Sequence, residues 1–309
     1  MEFYHRLSEI MMYDAGHRGL KVPEADLAAV ADTLLSAERV LILTGFPVLD
    51  KDGCPHAETD GPIGAAEIAC TLALLGSCVW LASDSTDYEV LAAAAKVYGA
   101  ATGIDIYGYN GQALSVSDDS KGRVDLVKIP FERTSEFADE FFKTNEITHL
   151  ISIERPGKGS CGHFCSMRGA YLDQYVANTD CFLSHFKGVS IAVGDGGNEL
   201  GMGKYKSRIV GSVPHGEDIV ASLSADHVLT AGVSNWWGAG LAALLSYKSG
   251  KKLLVGAETE KAALAEMLKA RALDGCSAKA EMTVDSLPLD VHLKRRELVQ
   301  NLLKETVTL

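Results

Sequence analysis

Short β-branched apolar runs alternate with amphipathic stretches along most of this chain. Arg39–Thr44 (RVLILT), Ser77–Ala82, Ile104–Tyr107, Val124–Ile129, Thr148–Ile153, Val189–Val193 and Asp226–Thr230 read as strands. Helices are predicted over Pro62–Gly76, where proline suits the first helical position and glycine the C-cap, and from an Asp84 or Ser85 cap to about Tyr98. Further helices are predicted over Phe131–Lys143, Ser234–Tyr247, Glu258–Leu273 and Val291–Lys304, with a turn over Ser117–Gly122. Strands alternating with helices imply an α/β fold. The expectation is a mostly parallel sheet with helices on both faces, Rossmann-like layering and extra terminal helices. No repeat or Pro/Ser-rich linker divides the chain, so one domain over residues 1–309 is expected.

The strongest local signal follows the Val189–Val193 run: Gly194-Asp195-Gly196-Gly197-Asn198-Glu199-Leu200-Gly201-Met202-Gly203. Ordinary turns need one or two glycines, whereas this density lets backbone approach a ligand closely. Carboxylates at a strand's C-terminal end sit where open α/β sheets place their sites. The stretch reads as a catalytic loop.

Other polar clusters also follow predicted strands. Thr44-Gly45 leaves the first strand. Glu58-Thr59-Asp60-Gly61 leads into a helix, where Thr59 or Asp60 can serve as a cap and Glu58 is left without a structural role. Arg155 and Arg168 are candidate bidentate clamps for an acidic substrate, with a surface salt bridge to Glu154 or another acid as the structural alternative for both. Ser234 or Asn235 caps a helix whose first amides suit an anion, and the paired Trp236 and Trp237 read as core. Cys161-x-His163-x-Cys165 has tight spacing and no second Cys/His pair, so packing thiols fit it better than a metal site.

Composition narrows the function classes. The 309 residues carry 41 acidic against 29 basic side chains, a net charge of −12, which argues against nucleic acid as a partner. No run approaches the ~20 apolar residues of a membrane span, and the first residues resemble neither a secretory signal nor a transit peptide. Seven scattered cysteines argue against a disulfide framework; a reduced, cytoplasmic protein is expected. Neither a G-x-G-x-x-G nor a P-loop points to a nucleotide.

Thr44-Gly45-Phe46, Glu58-Thr59-Asp60-Gly61-Pro62-x-Gly64-Ala65, Ile153-Glu154-Arg155-Pro156-Gly157, Met167-Arg168-Gly169 and the glycine loop resemble the D-glutamate cyclase family, as does Gly16–Leu20 (GHRGL). The resemblance runs from Gly16 to Asn235 and implies a stand-alone module converting D-glutamate to 5-oxo-D-proline with loss of water. That chemistry needs a base for the amine, oxyanion donors and an acid for the leaving oxygen. Asp195, Glu199, Glu58 and Asp60 are the candidate acids and bases. Thr44, Gly45, Arg155, Arg168, Gly196, Gly197, Asn198, Ser234 and Asn235 are the candidate substrate contacts, with amides beside Gly196 and Gly197 or at Ser234 facing the oxyanion. No serine or cysteine nucleophile is required, and the residues single out no certain cofactor. If a divalent metal (Mg or Mn) takes part, Asp60, Asp195 and Glu199 supply its oxygens. Alternatives are an amino-acid or anion-binding module without turnover and a metal-assisted hydrolase of a small acidic substrate. The expected partner is a small acidic amino acid, with no membrane or nucleic acid; a homodimer is compatible with this reading.

Overall fold

In the computed structural model, which describes residues 2–20 and 22–306, the apolar runs form one eight-stranded sheet. Across it lie His227–Thr230, Val189–Gly194, His149–Ile153, Arg39–Thr44, Cys78–Asp84, Arg123–Ile129, Asp105–Tyr107 and Ala113–Ser115. Neighbours pair in parallel except the last two strands, which pair antiparallel. The sheet is the expected α/β architecture.

Side-chain alternation explains its two covered faces. Val40, Ile42, Ile151, Ile153, Ile191 and Val193 share the larger core with helices Pro62–Leu75, Tyr88–Thr102 and Trp236–Ser249. Leu41, Leu43 and Leu150 face the other way, onto Phe137 and Phe182 of helices Thr134–Asn145 and Asp180–His185. Strands buried on both sides need continuous apolar sequence, which is why these runs are so legible.

Several elements differ from the sequence reading. The helix expected to start at Asp84 or Ser85 starts at Tyr88 with Asp87 at the N-cap. Asp84 is drawn off instead by Arg155 and by the Ala177 amide. Helices Glu2–Met11 and Leu27–Leu35, the hairpin Pro47–Leu49/Pro55–Ala57 and the hairpin Thr283–Val284/Leu287–Pro288 carry no expectation above. The first helix has a readable signal, since Phe3, Leu7 and Met11 are buried at a spacing of four. The hairpin strands, two or three residues each, are too short for a period to show.

Helices Pro62–Leu75 and Trp236–Ser249 meet at their N-terminal ends. A Cβ on Gly64 would lie 3.0 Å from the Asn235 Cα, and one on Gly238 would lie 2.8 Å from the Gly64 Cα. Only glycine at both positions allows backbones this close.

Candidate active site

Strand order reverses about Arg39–Thr44: later strands are added one way through Cys78–Asp84 and the other way through His149–Ile153, all parallel to it at this point. Open α/β sheets bind ligands at the carboxyl end of such a switch. The register aligns Thr44 with Ile153, Ile153 with Val193, and Gly194 with Thr230. The residues that follow these strand ends, Gly45, Glu154, Asp195 and Ala231, therefore crowd one edge.

Glu154 leaves its strand at φ 42°, an uncommon conformation for a side-chain-bearing residue, and accepts a 2.6 Å hydrogen bond from the Ser234 hydroxyl. Asp60 accepts from the amides of Ser234 (2.9 Å) and Asn235 (2.8 Å), so it caps the Trp236–Ser249 helix. The Asn235 side chain returns the arrangement, accepting from the Gly61 and Gly64 amides at the start of the Pro62–Leu75 helix. Glu199 folds back onto its own loop and accepts from the amides of Asp195 (3.1 Å), Gly196 (2.6 Å) and Gly197 (2.6 Å).

One cation is set among these acids. Arg18 is ion-paired with Asp195 and lies 2.9 Å from Asp285. Asp14 shapes its loop by accepting from the Arg18 amide (2.7 Å) and the Gly19 amide (2.9 Å). Asp285 stands in a hairpin turn where it and Ser286 have φ of 55° and 62°. Asp274, fully buried, holds that turn through the Ser286 amide (2.7 Å) and the neighbouring loop through the amides of Cys276 and Ser277.

These groups floor a cavity of about 200 Å³. Glu58, Glu154, Asp195, Glu199 and Asp285 line it together with Arg18; Phe46, Pro47, Val48, Met167 and Leu172 form an apolar wall, and exposed Arg168 lies at the rim. Asp195 Oδ2 and Glu58 Oε1 are buried with no protein hydrogen-bond partner. Burial, and then the Glu154 charge, pushes the Glu58 carboxyl well above the usual carboxylate range. Burial likewise raises Glu154 well above it, with Glu199 and Asp60 adding to the effect. Asp60 is pushed up to about 8 by burial and Asp285, against its two amide donors and Arg18. Glu199 is raised by burial against the amides it accepts from. Burial opposes the charge of Arg18, but Asp285 and Glu154 outweigh it and raise its pKa. Clustered acids cannot all ionise, so part of this floor holds protons near neutral pH.

Of the sequence candidates, Glu58, Asp195, Asn198, Glu199 and Arg168 meet in the cavity, with Asp60 beside its floor. Arg155 does not join them. It is fully buried and donates to Asp84, Thr179, the Gly45 carbonyl and the Ala177 carbonyl, which leaves it bracing Gly45 rather than free for a substrate. Thr44 is fully buried, and Gly45 takes φ 103° against Ser83 and Asp87. The amides of Gly196 and Gly197 are held by Glu199, and those of Ser234 and Asn235 by Asp60, so none of the four faces an oxyanion. Arg18, Glu154 and Asp285 are absent from the sequence-derived set.

The metal expectation also changes. Asp60, Glu154 and Asp195 each place one oxygen within 4.8 Å of the others, and among the described residues they form the one group with such spacing. Those three could hold a divalent cation through oxygen. Glu199, expected as a ligand, is replaced by Glu154 because its carboxylate is wrapped by amides. Cys161, His163 and Cys165 do not form such a group; His163 pairs with Asp173 at 3.1 Å.

Fold and cavity together make this a layered α/β protein with a carboxylate-floored pocket at the switch point of its sheet. The chain belongs to the family described as D-glutamate cyclase-like, C-terminal, which matches residues 7–302. It is 32% identical over 249 residues, 77% of its length, to the human protein named D-glutamate cyclase, mitochondrial, and spans 38% of that relative. No described helix is long and apolar enough to cross a membrane.

Proposed function

We propose that this pocket cyclises D-glutamate to 5-oxo-D-proline, as a hydro-lyase. The observation that carries the reading is the division of its floor: Asp195, ion-paired with Arg18 and with Oδ2 free, faces the same cavity as Glu58 and Glu154, whose carboxyls are biased to keep their protons. An ion-paired carboxylate facing carboxyls biased to keep their protons is the pairing that acid–base chemistry needs.

Five carboxyls against two arginines along the cavity favour a substrate ammonium at the floor and a carboxylate at the Arg168 rim. Asp195 Oδ2 takes a proton from the ammonium. The freed amine attacks the γ-carboxyl carbon, whose oxygen has been protonated by Glu58. The Arg18 guanidinium stabilises the oxyanion of the tetrahedral intermediate. A second proton from nitrogen, passed through the floor carboxyls, completes the leaving water, and the first proton passes from Asp195 back to Glu58. The two protons lost by nitrogen leave with one γ-oxygen, so Asp195 and Glu58 end as they began. Glu199 keeps the loop shaped and takes no proton.

The test is chromatographic analysis of the purified protein with D-glutamate, L-glutamate and D-aspartate, with and without Mn²⁺. D-glutamate should yield 5-oxo-D-proline. The L-form misdirects its amine, and ~1 Å of misplacement can cost ~10²-fold. D-aspartate would require a strained four-membered lactam and should remain intact. Unchanged D-glutamate under both conditions overturns the proposal.

A further inference from the structure

Cys161 and Cys165 stand apart from the other five cysteines. Their sulfurs are 3.5 Å apart, and both thiols point at the same acceptor, the His163 carbonyl, at 3.9 and 3.7 Å. Among the described residues no other two cysteine sulfurs lie within hydrogen-bond distance. The pair sits across a tight turn closed by the Gly159 amide on the His163 carbonyl and by the bridge between Lys158 and Phe164. Cys161 is half-buried and reachable from solvent, whereas Cys165 is buried beneath it.

The turn is joined to the pocket. The Cys165 carbonyl accepts from the Asn198 side chain at 2.8 Å, and Asn198 lines the cavity. Directly after Cys165, residues Ser166, Met167 and Arg168 form part of the cavity wall, and the Met167 sulfur packs against Gly196.

We infer that Cys161 and Cys165 form a thiol–disulfide exchange site in the pocket wall, taking glutathione disulfide or a similar small disulfide as co-reactant. The Cys161 thiolate attacks one sulfur of glutathione disulfide, forming a mixed disulfide and releasing one glutathione thiolate. Cys165 then loses its proton and attacks the Cys161 sulfur. The Cys161–Cys165 bond forms, and the second glutathione leaves as thiolate. Two protein thiols are oxidised, one small disulfide is reduced, and two protons pass to solvent and the leaving thiolates. Closing the sulfurs from 3.5 Å to a bond of ~2.05 Å needs a small shift of the turn, which its less buried Cys161 end can supply. The second step is intramolecular, so Cys161 does not retain glutathione. Burial together with Cys161 pushes the Cys165 thiol up to about 12, which makes Cys161 the entry point.

The experiment incubates the folded, full-length protein with glutathione disulfide, quenches in acid, alkylates, and maps cysteines by mass spectrometry. Wild type should lose two hydrogens and yield a peptide linking Cys161 to Cys165, reversed by dithiothreitol. Cys165→Ala should instead accumulate glutathione on Cys161. Cys161→Ser, changed at the more exposed position, should leave Cys165 free and covers the case in which Cys165→Ala fails to fold. Hydrogen exchange of the 195–198 loop should differ several-fold between oxidised and reduced wild type, and not in Cys161→Ser. Free thiols at both positions after oxidation, or stable glutathione on wild-type Cys161, overturns the site. An unchanged exchange rate at 195–198 overturns its link to the pocket. Neither readout depends on the cyclase reaction.

Discussion

Asp60 and Asn235 cap each other's helices. The Asp60 carboxylate takes the Ser234 and Asn235 amides, while the Asn235 side chain takes the Gly61 and Gly64 amides and donates to the Thr59 carbonyl at 2.9 Å. Both residues are buried; removing Asp60 orphans the Ser234 and Asn235 amides, and removing Asn235 orphans the Gly64 amide, while the Gly61 amide keeps Asp60. Asn235→Ala should cost roughly 1–3 kcal/mol of stability or more, since one orphaned buried group costs about that much. Urea denaturation measures it, and an unchanged midpoint would refute the capping role.

Asp195 and Glu199 occupy one loop but should respond differently. Asp195→Asn removes the proposed base and should lower turnover ~10²–10⁴-fold with little change in melting temperature. Glu199→Gln would point an NH₂ group at amides that need an acceptor, so its first effect should be on stability. Equal loss of turnover in two equally stable variants would reverse these roles.

Arg18→Lys keeps the charge and loses the planar fork between Asp195 and Asp285. Loss of one oxyanion donor costs ~10²–10³ in kcat elsewhere, and a drop of that order is expected here. By contrast, Arg168→Lys at the rim should raise KM and leave kcat nearly unchanged. A KM effect from Arg18 and a kcat effect from Arg168 would exchange their assignments.

Stability should depend on pH through the buried acids. Asp60 has an ordinary pKa of 3.8 when unfolded and about 8 when folded, so over that interval the folded chain holds a proton that the unfolded chain releases. Its contribution is complete below about pH 4 and is lost as pH rises toward about 8. Glu58 and Glu154, also raised, act in the same direction. Denaturation midpoints should therefore fall across this window, and Asp60→Asn should flatten the decline. A midpoint that climbs with pH would contradict the protonated floor.

The sheet is legible because its central strands are buried on both faces and must be continuously apolar; Arg39–Thr44 and Val189–Gly194 could scarcely be anything else. The glycine loop is legible for a related reason, since Gly197 and Gly201 take φ near 96° and Gly194 lies against the Glu199 carboxylate. Sequence does not reveal how polar groups spend their hydrogen bonds. Glu199 and Arg155 have the right chemistry for substrate, but Glu199 is consumed by amides of its own loop and Arg155 by Asp84, Thr179 and the carbonyls of Gly45 and Ala177. Arg18 and Asp285 arrive from opposite ends of the chain, a relationship no local pattern encodes. Asp285 has one faint signal: Val284-Asp285-Ser286-Leu287 makes a two-residue hairpin without glycine, though both turn residues need positive φ.

The contact between Gly64 and Gly238 reaches beyond packing. It draws together the starts of two helices, where each carries partial positive charge, beneath a floor crowded with carboxyls. Those paired ends act as a fixed counter-charge that cannot titrate, dissociate or be displaced by substrate. A single methyl group at Gly64 would push the helix starts apart and weaken that background field for every acid above it. Proton affinities in the pocket would then shift although no ionisable residue had been altered. Two residues without side chains thus belong to the electrostatics of the site as much as Asp195 does.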